Sequence, residues 1–191
     1  MGVLILGLAI FFGVHSLSIV NRDFRDRMLA KFGEMPWKGG YAVVSLIGFA
    51  FIVWGYGLAR AEPVLLYLPP LWLRYVAIVL LIPVFPLLIA AYLPSRIGIA
   101  ARHPMLLATK IWALAHLLAN GMLADVLLFG AFLAWAVADR ISVKRRGPPA
   151  QATAPASNAN DMFVVIAGVA IYFAFILWLH AWIFGVAPIA L

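Results

Sequence analysis

Six stretches of this chain are apolar over roughly the length that crosses a bilayer as a helix, about 20 residues. They are residues 2–20, 39–59, 75–93, 104–119, 121–138 and 162–186. The second contains no charged residue, and the first has His15 as its sole ionisable group. The fourth is the shortest and carries Lys110 and His116. In hydrocarbon every backbone N–H and C=O must be bonded internally, so such segments are expected to be α-helices. The expected fold is therefore all-α, a polytopic transmembrane helix bundle of about six spans, read as a single domain over residues 1–191.

Composition closes the soluble alternative. Hydrophobic residues make up 66% of the chain and charged residues 11%, against about a quarter charged in an average soluble domain. The mean hydropathy is +1.05. A small globule cannot hide that much apolar surface in a core, so lipid is the expected partner of most of it. The net charge of +7 does not point to nucleic acid, because the cations fall in short loops between apolar runs. Arg22, Arg25, Arg27, Lys31 and Lys38 follow the first run, Arg96 and Arg102 the third, and Arg140, Lys144, Arg145 and Arg146 the fifth. The alternate loops hold only Arg60 and Arg74. This asymmetry predicts cytoplasmic odd-numbered loops and both termini in the periplasm, in a bacterial inner membrane. No positive residue precedes the first apolar run, so it reads as a retained helix rather than a cleaved signal.

Punctuation refines the pattern. Pro83 and Pro86 predict a kink in the third helix, and Asn120-Gly121 breaks the chain before the fifth. Residues 147–160 are rich in proline, alanine and small polar residues and read as a flexible cytoplasmic linker.

Ionisable groups inside a membrane are costly and are functional candidates by default. Here they are His15, Lys110, His116, Asp125 and His180, with His103 at an edge. There is no carboxylate pair, no serine–histidine–aspartate set and no cysteine. Four histidines in apolar helices leave haem as the most economical cofactor, since it needs one or two imidazoles and an apolar pocket. Each candidate has a plainer reading beside it. His15 and His116 read equally as interhelical hydrogen-bonding residues. His180, within Trp178-Leu179-His180-Ala181-Trp182, reads as part of an interfacial aromatic belt. Lys110 reads as a snorkelling side chain, and Asp125 as a solvated residue near a helix end. Arg102 and His103 read as interface residues or an anion-binding helix start. On the fourth helix Trp112, His116 and Asn120 form a stripe at spacing four, set apart from Arg102, His103 and Lys110.

Several runs resemble the NnrU family of bacterial membrane proteins. They are Arg102-His103-Pro104-Met105, the run from Lys110-Ile111-Trp112 through Ala115-His116 to Asn120-Gly121, Phe129-Gly130 and Trp135. Gly13-Val14-His15-Ser16, Asp139-Arg140, Arg145-Arg146 and the closing His180, Gly185 and Pro188 match as well. The resemblance implies a link to nitrite and nitric oxide reduction in denitrifying bacteria. The family is also similar to zeta-carotene isomerase, a membrane haem protein, and that similarity implies haem b with His15 and His116 as iron ligands. Trp112 would then pack beside the ring, Asn120 would orient His116, and Arg102 with Lys110 would pair the propionates. Where the isomerase has a cysteine after the tryptophan, this chain has Ala113. Counted along upright helices, His15 and His116 differ in depth by about 11 Å, so His180 stands as the substitute ligand.

Three functions follow. The first is a haem-binding accessory, sensing or redox component that takes nitric oxide. The second is a haem-dependent cis–trans isomerase of a carotenoid-like polyene. The third is a cofactor-free assembly factor. Arg102-His103-Pro104 also resembles the start of a membrane helix in isoprenylcysteine and phospholipid methyltransferases, but the residues after Asp139-Arg140 do not complete that pattern. Nothing in the sequence points to a protein partner.

Overall fold

The computed structural model describes residues 1–145 and 155–189. Among them the regular structure is helical, with one isolated antiparallel bridge between Leu65 and Met122. Most of residues 147–160, the expected linker, lie outside the described residues. Residues 155–157 are irregular, and the last helix starts at Asn158, ahead of the apolar pattern, because Ser157 caps it by accepting from Asn160 N at 3.1 Å.

The chain divides into two compact units. The first comprises Met1–Leu68 and Asn120–Ser142. It opens with α1 (Gly2–His15), which breaks at Ser16 before the short α2 (Leu17–Val20), so the first apolar run is not one unbroken helix. Asn21 ends α2 and caps α3 (Arg22–Phe32), its Oδ1 accepting from Phe24 N at 2.9 Å. Gly33, at φ 84°, turns the chain into α4 (Glu34–Ala61). After a loop, α9 (Leu123–Arg145) completes the unit through Ser142.

Glycine sets how α1 and α4 meet. A Cβ on Gly7 would stand 2.5 Å from Ile52 N, and one on Gly48 would stand 2.7 Å from Phe11 N. One on Gly55 would fall on the Leu4 backbone. The two backbones therefore touch, the arrangement that small residues permit between helices in lipid. At the far end of α4 the loop is clamped to the start of α9. Leu66 N and Tyr67 N both donate to Gly121 O, and Leu123 N donates to Val64 O at 2.8 Å.

The second unit comprises Pro69–Ala119 and Val143–Leu191. It contains α5 (Leu71–Leu81), α6 (Val84–Ala90), α7 (Arg96–Ala101), α8 (Pro104–Ala119), α10 (Asn158–Ala174), a π-helical turn (Phe175–Leu179) and α11 (His180–Phe184). The kink expected at the prolines is the break between α5 and α6. Ile82 N donates to Val79 O at 3.2 Å instead of reaching back to Ile78. The Ile78 carbonyl so released accepts the Tyr172 hydroxyl at 2.7 Å. Gly168 lets α10 approach this point, since a Cβ there would stand 2.5 Å from Pro86 N. The loop before α7 is pinned to α10 in turn. Asn160 Nδ2 donates to Pro94 O at 2.7 Å, and Asp161 accepts from Arg96 N at 2.7 Å.

Four helical stretches are long and apolar enough to cross a membrane: Glu34–Ala61, Leu71–Ala90, Leu123–Arg145 and Asn158–Phe184. Gly2–His15 and Pro104–Ala119 are apolar but shorter. The all-α expectation holds, and each of the six apolar runs is helical over most of its length, with breaks at Ser16 in the first and at Pro83 in the third.

Tyr172 is 4% exposed, so its hydroxyl is the local means of satisfying the Ile78 carbonyl. Tyr172→Phe should destabilise the protein by about 1–3 kcal/mol, read as a lower thermal midpoint in detergent. An unchanged midpoint would mean that another donor serves that carbonyl.

Candidate functional site

His15 is half-buried at the end of α1 and held from both sides of its ring. Its Nδ1 lies 2.7 Å from Phe11 O. A carbonyl only accepts, so Nδ1 carries the hydrogen, and in the neutral ring the lone pair is on Nε2. Phe11 also stacks on the imidazole, with centroids 4.0 Å apart and planes at 22°. Tyr41 of α4 lies at 5.1 Å and Trp135 of α9 meets the ring edge-on at 5.8 Å. Trp135 Nε1 is buried and makes no hydrogen bond among the described residues. Leaving a buried donor unmatched costs about 1–3 kcal/mol, so this N–H beside the candidate histidine is a place where an acceptor would be stabilised.

His116 in the second unit repeats the arrangement. Its Nδ1 lies 2.8 Å from Trp112 O, and the two rings are 5.2 Å apart. Trp112 packs against the buried cluster of Val84, Leu87 and Ala108, which holds the carbonyl that orients His116. His180 shows the same bond, with Nδ1 2.7 Å from Val186 O, and lies near Phe175 and Phe184. Trp178 and Trp182 on either side of it are stacked on each other and are 65% and 73% exposed.

The remaining expected residues are placed as follows. Arg102 is exposed, with φ at 58°, and His103 N donates to Ala101 O at 2.6 Å, a tight turn that lets Pro104 open α8. Lys110 is half-buried on α8. Asn120 belongs to the first unit, where its carbonyl accepts the Tyr67 hydroxyl at 2.7 Å. His15 and His116 belong to different units.

Among the described residues no three histidine, cysteine, aspartate or glutamate side chains form a metal-binding group. Haem asks for less, one or two imidazoles, and His15 and His116, each within its own unit, have Nδ1–H anchored on a backbone carbonyl. That bond fixes the tautomer and ring orientation used by metal-bound imidazole.

Sequence reading missed two features of the first unit. Asp125, read as solvated, is 5% exposed. It accepts the Tyr56 hydroxyl at 2.6 Å and the Met122 N–H at 3.2 Å, closing the first turn of α9. Arg60 lies over the Tyr56 ring, 6.0 Å from its centroid. In the adjoining loop, burial first and the Asp125 carboxylate second push the Tyr67 phenol above its ordinary value. The other omission is the set of rings around His15. Phe11, one turn before it, was readable from spacing; Tyr41 and Trp135 had no local signal.

Among the described residues, four helices long and apolar enough to cross a bilayer define an integral membrane protein of the helix-bundle class. The NnrU protein family model matches residues 3–188, nearly the whole chain, and the chain belongs to the NnrU family. Neither the curated proteins nor the solved structures contain a significant match.

The Tyr56–Asp125 pair gives a stability test. Tyr56→Phe leaves a buried carboxylate short of a donor and should cost about 1–3 kcal/mol. Asp125→Ala, which also removes the bond to Met122 N, should lower the thermal midpoint at least as far. Midpoints equal to wild type in both variants would show that the pair contributes nothing.

Proposed function

We propose that this NnrU-family protein is a b-type haem protein of the bacterial inner membrane, with His15 and His116 as the candidate iron ligands. The supporting observation is the bond shared by these histidines, Nδ1–H to Phe11 O in one and to Trp112 O in the other. With Nδ1 anchored in this way, Nε2 is the nitrogen of each imidazole that would ligate iron. Bound haem would supply an iron that takes nitric oxide at an open or displaceable axial position.

The chain's own groups would do the rest. Phe11 and Tyr41 restrict rotation of His15. Trp112 flanks His116 with an apolar face. The Trp135 N–H offers a donor to an acceptor atom near His15. Arg102 and Lys110 would serve the propionates. In this reading the protein is an accessory, sensing or redox component of nitrite and nitric oxide metabolism. We prefer it to polyene isomerisation because Ala113, where the similar isomerase carries cysteine, is fully buried and has no ligating atom. His180 is the substitute ligand, since it shares the Nδ1 bond.

The proposal extends to topology. All six apolar helices would cross the membrane, with residues 21–38 in the cytoplasm and both termini in the periplasm, as the lysine and arginine distribution favours. The chain has no cysteine, so single cysteines report cleanly. In intact spheroplasts an impermeant thiol reagent should label Glu62→Cys and spare Asp23→Cys; the reverse pattern would invert the topology.

For the cofactor, detergent-purified protein from haem-replete cells should show a Soret band and sharp α and β bands on dithionite reduction. The six-coordinate spectrum should be lost in His15→Ala and in His116→Ala and kept in His180→Ala. Colourless wild-type protein would overturn the haem reading, and loss in His180→Ala alone would reassign the ligand.

A further inference from the structure

The first unit carries an open cleft of about 370 Å³ that the histidines do not line. Its walls include Val14 and Leu17 from α1 and α2, Phe24 and Phe32 from α3, and Trp37 and Tyr41 from α4. The lining is almost wholly apolar, yet it lies beside the most highly charged segment of the chain. Residues 22–38 hold five cations (Arg22, Arg25, Arg27, Lys31 and Lys38) against three carboxylates (Asp23, Asp26 and Glu34).

The carboxylates do not neutralise this segment evenly. Asp26 is held by Arg25 at 2.9 Å and Arg22 at 3.6 Å, and Glu34 by Lys38 at 2.6 Å. Asp23 sits in the first turn of α3, where the helix dipole favours a negative charge. Arg27 and Lys31 make no ion pair among the described residues. They are four apart, hence neighbours on the helix surface. Lys31 Nζ stands 5.2 Å from the centroid of the Phe32 ring, one wall of the cleft. Phe24, Met28 and Phe32, at spacing four, share one side of the helix. An apolar slot with Lys31 beside one wall, and Arg27 one turn before it on the same helix, matches a molecule with a hydrocarbon chain and an anionic head.

We propose that this cleft is a binding site for an anionic phospholipid. One acyl chain lies along Phe24, Phe32, Trp37 and Tyr41, and the phosphate sits between Arg27 and Lys31. The spanning helix α4 supplies the inner wall, so the chain enters from the bilayer and the head stays at its surface. A free phosphate satisfies the cations but not the slot, and a zwitterionic lipid fills the slot but brings a cation of its own to Arg27 and Lys31.

The test is native mass spectrometry of the full chain in detergent. It is offered equal amounts of phosphatidylglycerol and phosphatidylcholine with identical acyl chains. Wild type should retain one phosphatidylglycerol with a preference on the order of tenfold, from two cations near a charged head. Arg27→Gln combined with Lys31→Gln should bring the two lipids close to parity. Gly40 also lines the cleft, and a Cβ there meets nothing within 4 Å. Gly40→Leu should therefore fill the slot and abolish retention of both lipids at unchanged helicity by circular dichroism. Parity in wild type, or a preference that survives the double variant, overturns the proposal. Displacement of phosphatidylglycerol by inorganic phosphate would show a free-anion site instead. A lipid-free dimer would give the cleft to a second copy of the chain.

Discussion

A carbonyl or N–H left without a partner in hydrocarbon costs several kcal/mol, and the break at Pro83 answers that cost, while the loop ends are tied by the same kind of bond. Where Pro83 interrupts the ladder between α5 and α6, the Ile78 carbonyl is taken by Tyr172. Where α4 gives way to loop, residues 64–67 pair with residues 121–123 and Tyr67 bonds Asn120. Where α6 ends, Asn160 bonds Pro94 and Asp161 bonds Arg96. In each case the partner comes from a distant part of the chain, so satisfying a local break also joins two segments of one unit.

Close backbone approach supplies the rest of the cohesion. Apolar side chains gain little from leaving lipid for one another, so packing in a membrane depends on contact distance. Gly7, Gly48 and Gly55 bring α1 against α4, and Gly168 brings α10 against Pro86. That approach matters for the candidate site, because α1 carries His15 and α4 carries the Tyr41 ring that flanks it. The same two helices, with α3 between them in sequence, form the walls of the apolar cleft. The first unit thus joins an oriented histidine and an apolar slot on one glycine-mediated crossing, with the buried Trp135 indole of α9 beside that histidine.

Membership of the NnrU family and the geometry of the histidines bear on different questions. Family membership covers the whole pattern of the chain, whereas the bonds from His15 to Phe11 and from His116 to Trp112 concern what the imidazoles are prepared to do. The ligand candidates were legible because a histidine within an apolar run stands out against its neighbours. Half of the orientation was legible too, since Phe11 and Trp112 lie one helical turn before their histidines. Asp125 was misread because proximity to a helix end says nothing about what covers it, and Tyr56 lies 69 residues earlier in the chain.

The sequence by itself determined the all-α class, the apolar helices, the break at the prolines, the charge bias of the loops and the short set of histidines. Each follows from local chemistry: hydropathy over about 20 residues, the missing N–H of proline, the cost of ionisable groups in lipid. The tertiary structure decided which carbonyl Tyr172 completes, which glycines are contacts rather than spacers, that Asp125 is buried, and that Trp135 stands beside His15. Those are relations between residues far apart in the chain. No periodicity encodes them, because they depend on which helix face meets which, and that is decided only when backbones come within contact distance and their polar groups find partners.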